Sequence, residues 1–594
     1  MACDPHIEYA ERLRERRAVS AQLDRRHAAL GYAKVGVFVL AVLTGWIAFT
    51  QRWYSAWWLA APTVVLGGLA LDHERVMRAR KAAARACAFF EKGIERLEDR
   101  WAGTGVSGER FVDPAHPYAE DLDLFGKGSL FELLCTTRLR AGEDTLARFL
   151  LEPAEPEVVR ARQEAVRELC PRLDLREDMA LLGEDLRSGI NPRALAAWAE
   201  QPLTLDAPAA RTCAAALALA ALATLAVWAV FGVVEFFLAV AVLEAVFFLR
   251  FRARVAGVVE VVGDPAYGIA LLAEVLGRIE REPFSSARLL DLRHALSTDG
   301  APPSHAIARL NRLMALLHSR DNVLLRVIGP PLLWTTQVAF AIEAWRKKFG
   351  PSVRRWLEAV GEFEALSAFA NYAFEHPADP FPEFVEGEAC FEGQALGHPL
   401  VAESRSIRND VRLSSELRVL VVSGSNMSGK STLLRVVGAN AVLAQAGAPV
   451  RARSLRLAPL ALGASIRTLD SLQGGTSRFY TEIKRLRQLV DLTKGPRPVL
   501  FLLDELLHGT NSHDRRIGAE AVIRTLVERR AIGLLTTHDL ALAHIVEVLA
   551  PRAANVHFED HIEGGRITFD YLLRPGLVRK SNALELMRSV GLDV

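Results

Sequence analysis

One octet constrains the fold of this 594-residue chain more than any other segment: Gly424-Ser-Asn-Met-Ser-Gly-Lys-Ser431. The run Arg418-Val-Leu-Val-Val422 before it reads as a strand, and Leu433 to Leu443 after it reads as a helix. The octet fits G-x-x-x-x-G-K-[ST] in the required order of strand, loop and helix. Gly424 and Gly429 permit a tight turn in which backbone N–H groups converge, and the helix N-terminus adds the positive end of its dipole. Such a loop holds phosphate. The sequence therefore predicts a nucleoside-triphosphate site made by Gly424, Ser425, Asn426, Met427, Ser428, Gly429, Lys430, Ser431 and Thr432. Lys430 is expected on the β- and γ-phosphates and Ser431 on Mg²⁺.

Two further strand ends carry chemistry. Val499 to Leu503 delivers Asp504 and Glu505 to the edge where ligands of parallel sheets bind. Asp504 is expected in the Mg²⁺ shell and Glu505 as the general base for water, because hydrolysis needs a carboxylate beyond the one on the metal. Ile532 to Leu535 leads into Thr536-Thr537-His538-Asp539, where His538 is expected to sense the γ-phosphate. Short apolar runs alternating with helices from about residue 390 predict an α/β domain with a mainly parallel sheet.

The rest of the chain is helical in pattern and interrupted by two apolar blocks, Tyr32 to Leu71 and Cys213 to Leu249. Each has room for two helices of about 18 residues and reads as a transmembrane hairpin. Arg12, Arg14, Arg16, Arg17, Arg25 and Arg26 precede the first, Arg78, Arg80, Lys81 and Arg85 follow it, and Arg250, Arg252 and Arg254 follow the second. Positive charge on the outer ends predicts cytoplasmic termini, with Trp53, Tyr54, Trp57 and Trp58 in an interfacial belt. The alternative is a pair of buried helical hairpins within a large soluble core. Glu235 lies near a turn, where an acid is harmless, while the role of Glu244 stays open. Apolar Val353, Trp356, Val360, Phe363, Leu366 and Phe369 recur at helical spacing after Pro351, which is read as a helix start. A Pro-rich break from His376 to Pro382 reads as a linker.

Charge is nearly balanced, 72 basic against 70 acidic residues, so no global basic excess advertises nucleic acid. The six cysteines are scattered, with neither zinc-site nor disulfide spacing, which suits a reducing cytoplasm.

Several motifs together resemble the MutS family. These are Asn426-Met427 within the loop, His398-Pro399 and Asn409-Asp410 upstream, and Asp504-Glu-Leu-Leu-His-Gly-Thr-Asn-Ser-His-Asp514. Asp470 to Glu482 is similar to the family's signature segment, and Gly576 to Leu592 to its closing segment. Leu122 to Leu169 resembles the start of the family's helical core. The resemblance implies an ATPase that dimerises around two nucleotides, with Ser477 contacting the γ-phosphate held by the opposite protomer, and it implies DNA as a partner. Arg478 stands where the family normally has Thr. No counterpart of the N-terminal mismatch-reading domain is visible, and the Phe-x-Glu tripeptides at Phe89, Phe381 and Phe384 read as chance matches.

The expected architecture is multidomain. A basic cytoplasmic segment (1–30) precedes the first transmembrane hairpin (31–73) and a first helical core-like part (74–210). The second hairpin (211–250) leads to a helical core and lever part (251–385) and an α/β P-loop ATPase domain (386–594). The function expected is a DNA-related, membrane-held ATPase using ATP and Mg²⁺, a homodimer at the inner membrane with its ATPase in the cytoplasm. Two other classes stay open: an ABC-type transporter, although the LSGGQ signature is absent, and a membrane scaffold switched by ATP without DNA.

Overall fold

The computed structural model describes residues 4–47, 50, 60–189, 191–298, 300, 302–319, 329–425, 427–466, 478–507, 511–538, 544–563 and 566–577. The chain divides into two compact units, Met1–Thr104 with Leu173–Leu181, and Gly105–Arg172 with Leu182–Val594.

The first unit is built on two long helices, Pro5–Trp46 and Ala60–Leu97, paired antiparallel. Asp4 caps the first by accepting from the His6 N–H at 2.9 Å, and Pro5 suits a first-turn position that needs no N–H. The half remote from the turn packs as a soluble protein does. Tyr9, Leu13, Val76, Ala83, Phe89 and Phe90 are buried. The Tyr9 ring lies over Gly93, where a Cβ would come within 2.5 Å of its Cε2. Ion pairs Arg17–Glu91, Arg26–Asp72 and Arg80–Asp24 fix the register along the outside. Nearer the turn the pattern inverts, and Val35, Phe38, Leu43, Trp46, Val64 and Leu71 are all more than half exposed. The aromatic residues expected at this turn, Trp53, Tyr54, Trp57 and Trp58, lie outside the described residues.

In the second unit, helices Pro208–Phe231 and Glu235–Val261 form another antiparallel pair. Gly232, at φ 72°, ends the first of them with its N–H on Trp228 O at 2.9 Å. This left-handed cap is where glycine costs least. Trp228 stacks on Phe237 across the pair at 5.8 Å. Ala214, Ala218 and Ala221 are buried, while Leu219, Phe231, Phe236, Val242, Val246 and Leu249 face outward exposed. By length and composition, Pro5–Trp46 and Ala209–Phe231 are long and apolar enough to cross a membrane.

A helix of 42 residues, Trp334–Glu375, is the spine of this unit. Pro351, expected at a helix start, lies instead inside this helix. An interior proline gives up one hydrogen bond and costs about 3 kcal/mol. Burial on both sides of it, Trp345 and Phe349 before and Val353 and Trp356 after, outweighs that cost. Gly350 helps, since it has no Cβ to clash with the following ring. It also lies so close to Ala199 that a Cβ would come within 2.4 Å of the carbonyl oxygen.

Among the described residues the C-terminal region has two sheets. One joins β1 (Glu383–Phe384), β2 (Phe391–Leu396), β3 (Asn409–Leu413) and β5 (Ser454–Leu457) in the order β1-β5-β2-β3. The other joins β4 (Val419–Ser423), β6 (Ala461–Ser465), β7 (Val499–Leu503), β8 (Ile532–Thr537), β9 (Ala553–Glu563) and β10 (Arg566–Pro575) in the order β10-β9-β4-β8-β7-β6. Only β10 runs antiparallel to its neighbour. Strands β4, β7 and β8 are buried along their whole lengths, as continuous apolar runs in a covered parallel sheet should be. Helices Arg478–Leu492 and Ser512–Glu528 close one face through Leu486, Leu489, Ile523 and Leu526.

Candidate functional site

Parallel register brings three strand ends to one edge. Ser423 of β4 pairs with Thr537 of β8, and Leu503 of β7 with Leu535. The P-loop, the Asp504-Glu505 pair and His538 therefore leave the sheet side by side. Helix Lys430–Ala446 starts directly from Gly429, whose φ of 100° is open to glycine and strained for other residues. A Cβ there would also lie 3.0 Å from Tyr571 Cδ1.

Lys430 is buried, and its Nζ donates to Gly424 O at 3.0 Å and Ser425 O at 2.7 Å. Burial pulls its pKa below the usual lysine value, opposed by the charges of Glu505 and Asp504. Asp504 is held from two directions. Its N–H donates to Ser465 O at 2.9 Å, and its Oδ1 accepts from the hydroxyl of the fully buried Thr536. The same hydroxyl accepts the Glu505 N–H at 3.1 Å. Glu505 has a φ of 46°, a left-handed conformation uncommon outside glycine, and its Oε1 lies 3.4 Å from His538 Nδ1. Buried Glu482 accepts the Leu507 N–H at 2.5 Å and steadies the turn that follows.

Lys430, Asp504 and Glu505 line a cleft of about 570 Å³, within the range of small-molecule sites. Lys430, Ser431, Thr432, Asp504 and Glu505 form its polar side. Leu396, Ile407, Phe558 and Tyr571 supply its apolar lining, with Phe558 and Tyr571 lying against the P-loop glycines Gly424 and Gly429. Asn409 fixes Tyr571 in place, donating to its carbonyl at 2.9 Å and accepting the Leu573 N–H at 2.7 Å. His398, also in the lining, is driven down to a pKa of about 4 by burial and then by Arg435, so its ring is neutral at pH 7.

The polar atoms fit a phosphate chain. Ser425 Oγ, Ser428 Oγ and His398 Nε2 are buried without hydrogen-bond partners among the described residues. Together with the amino end of helix Lys430–Ala446 they offer donors at the place where a nucleotide's phosphates would lie. Ser431 and Asp504, a hydroxyl and a carboxylate beside that place, form the oxygen donor set that Mg²⁺ takes alongside phosphate oxygens.

The structure thus brings together Gly424, Ser425, Ser428, Gly429, Lys430, Ser431, Thr432, Asp504, Glu505 and His538. Met427, on the same loop, also lines the cleft while 86% exposed, at a φ of 72°. Asn426 and Ser477 lie outside the described residues. The site roles read from sequence omitted Thr536, His398, Ile407, Asn409 and Tyr571. A signal for Tyr571 exists: the alternating runs on either side of Gly564-Gly565 read as a hairpin.

The fold and the site define a P-loop nucleotide-binding domain at the end of a largely helical chain. Residues 420–593 match the family model for MutS domain V. Over 286 residues, 48% of this chain, it is 32% identical to the DNA mismatch repair protein MutS of Thermus caldophilus. The same figures hold for the MutS proteins of two strains of Thermus thermophilus. The match spans about a third of the length of these curated relatives, 32%.

Proposed function

We propose that this chain is a membrane-held, MutS-like ATPase that hydrolyses ATP at sites completed across a homodimer and uses the cycle to rearrange its helical region on DNA. The observation that carries the reading is the meeting of the P-loop, Asp504, Glu505 and His538 at one sheet edge, inside the segment that matches MutS domain V.

In this reading the loop N–H groups and Lys430 orient the triphosphate. Ser431 and Asp504 would hold Mg²⁺, which when bound supplies Lewis acidity at the phosphoryl oxygens. Glu505 takes the proton of the attacking water, oriented by its N–H bond to Thr536 and by the adjacent His538. Ser477 is assigned to the γ-phosphate of the partner protomer.

Membrane attachment is supported by the apolar, outward-facing ends of both hairpins and by the arginines that flank them. The same arginines support a cytoplasmic ATPase at the inner membrane. DNA as partner rests on the names of the relatives.

The test is the ATPase rate of the detergent-purified chain with homoduplex, mismatched, branched or no DNA. Stimulation by DNA is expected. Indifference to every DNA, with nucleotide-dependent dimerisation retained, would remove DNA from the proposal and leave an ATP-switched scaffold.

A further inference from the structure

The nucleotide chemistry leaves Glu244 unused. This residue lies on the inner face of the second hairpin, 6% exposed, and its Oε1 has no hydrogen-bond partner among the described residues. Its helix turns Phe237, Ala241, Glu244 and Phe247 inward, while Val242, Leu243, Val246 and Phe248 are exposed. The Trp228–Phe237 stack sets the antiparallel register, so that Glu244 stands level with Ala221 on the opposite helix. Ala221 is 1% exposed, and with Ala214 and Ala218 it forms a small-residue strip that leaves room for a carboxyl group. About 13 Å of helix rise separates Glu244 from Glu235 at the turn, close to half the ~30 Å thickness of a hydrocarbon core.

Among the described residues the charged neighbours are few. The opposite helix has no ionisable group between Cys213 and Phe231, and on its own helix the flanking groups are Glu235 and Arg250. Helix Trp334–Glu375 reaches this pair where Phe340 meets Phe251, 5.8 Å apart. That helix carries the buried pair Glu343 and Arg346, which are bonded to each other. Glu343 also accepts from the Thr204 and Leu205 N–H groups, and Arg346 donates to Trp198 O. The one hydroxyl on the opposite helix near this level, Thr224, donates to Ala220 O and Ala221 O of its own helix. A metal cation would need several oxygen ligands, and these surroundings do not gather them. An ionised carboxylate with neither cation nor donors is not sustained in such a place.

We infer that Glu244 is a proton-binding site inside the bilayer: a carboxylic acid held between two apolar helices, exchanging its proton only when the helices part enough to admit water. The inference rests on the membrane placement of the second hairpin and is independent of the ATPase reading.

The test uses the full chain in phospholipid vesicles treated with dicyclohexylcarbodiimide, which partitions into the apolar phase and reacts with protonated carboxyls. The acid O–H adds across a C=N bond, and acyl migration to nitrogen leaves a stable N-acylurea with no leaving group. Mass spectrometry should find one adduct on the Glu244 peptide. The adduct should be lost in Glu244→Gln, with ATP turnover of that variant within twofold of the parent, and should be unaffected by excess sodium. Protection by sodium would overturn the assignment in favour of a cation site. Reaction of Glu244 with a water-soluble carbodiimide and an amine would overturn the membrane placement itself. If neither reagent labels Glu244 while the protein resists alkaline-carbonate extraction, the proton site fails and the membrane placement stands.

Discussion

Thr536→Val tests how the catalytic edge is assembled. Thr536 is fully buried, and valine has nearly its shape, so the substitution leaves no cavity and removes only the hydroxyl. That hydroxyl makes two bonds, one donated to the Asp504 carboxylate and one accepted from the Glu505 N–H at 3.1 Å. A hydrogen bond to a charged group contributes about 1.5–3 kcal/mol and a neutral one about 1 kcal/mol. Their joint loss is therefore about 2.5–4 kcal/mol. The Glu505 bond anchors a backbone at φ 46°, whose strain of about 1–3 kcal/mol must be held by its surroundings. If roughly 2–3 kcal/mol of the loss falls on the transition state, kcat drops about 30- to 150-fold. Steady-state phosphate release with Mg²⁺ measures this, and fluorescent-nucleotide binding without Mg²⁺ should change by less than about threefold, since Lys430 and the loop are untouched. Thr536→Ser should recover most of the rate. Turnover of a folded Thr536→Val protein within about threefold of the parent would refute the view that this hydroxyl holds the acidic pair in place.

Other substitutions probe separate parts. Glu505→Gln should keep ATP binding and lose at least about 100-fold in turnover, and full turnover in that variant would exclude Glu505 as the base. Gly429→Ala should abolish nucleotide binding, because a Cβ at φ 100° is strained and meets Tyr571 at 3.0 Å; isothermal titration with ATP checks it. Glu364 is buried and accepts the Arg138 and Leu139 N–H groups, and burial lifts its pKa from 4.5 to about 7. The folded state then holds this proton more tightly than the unfolded chain, so its contribution to stability is present below pH 4.5 and is lost as pH rises to about 7. Denaturant unfolding at about pH 5 and about pH 8 should show this loss in the parent and a smaller one in Glu364→Gln.

The nucleotide loop and the acidic pair were legible in the sequence because each is local. An apolar run, a turn and two or three polar residues are contiguous, and parallel strands with common direction deliver them to one edge. Thr536 opened a named motif, yet its role follows from the β7–β8 register, which aligns Leu503 with Leu535 and is a long-range fact. The apolar lining of the cleft was harder still. Leu396 and Asn409 come from the smaller sheet, and Tyr571 from an antiparallel hairpin added to the edge of the larger one. Pro351 misled because an interior proline is disfavoured locally, and only the burial of the residues on either side of it tips the balance back toward a continuous helix. Ser477 and Asn426 lie outside the described residues, so their expected roles stay with the proposal.

The long helix Trp334–Glu375 has a mechanical consequence. Near its far end, Tyr372 donates to Asp379 at 3.2 Å, Asp379 is bonded to Arg451, and the Arg451 N–H donates to Asn440 of the P-loop helix at 2.7 Å. Its near end meets the second hairpin through Phe340 and Phe251. The one place where this rod lacks a backbone donor is Pro351, which divides it into arms of about 26 and 36 Å. The longer arm is on the nucleotide side. Phe340 lies about 16 Å of helix rise from Pro351 and Tyr372 about 32 Å, so a pivot at Pro351 would act as a reducing gear in which a swing of about 1 Å beside the P-loop helix reaches the hairpin as about 0.5 Å, smaller in travel and correspondingly greater in force.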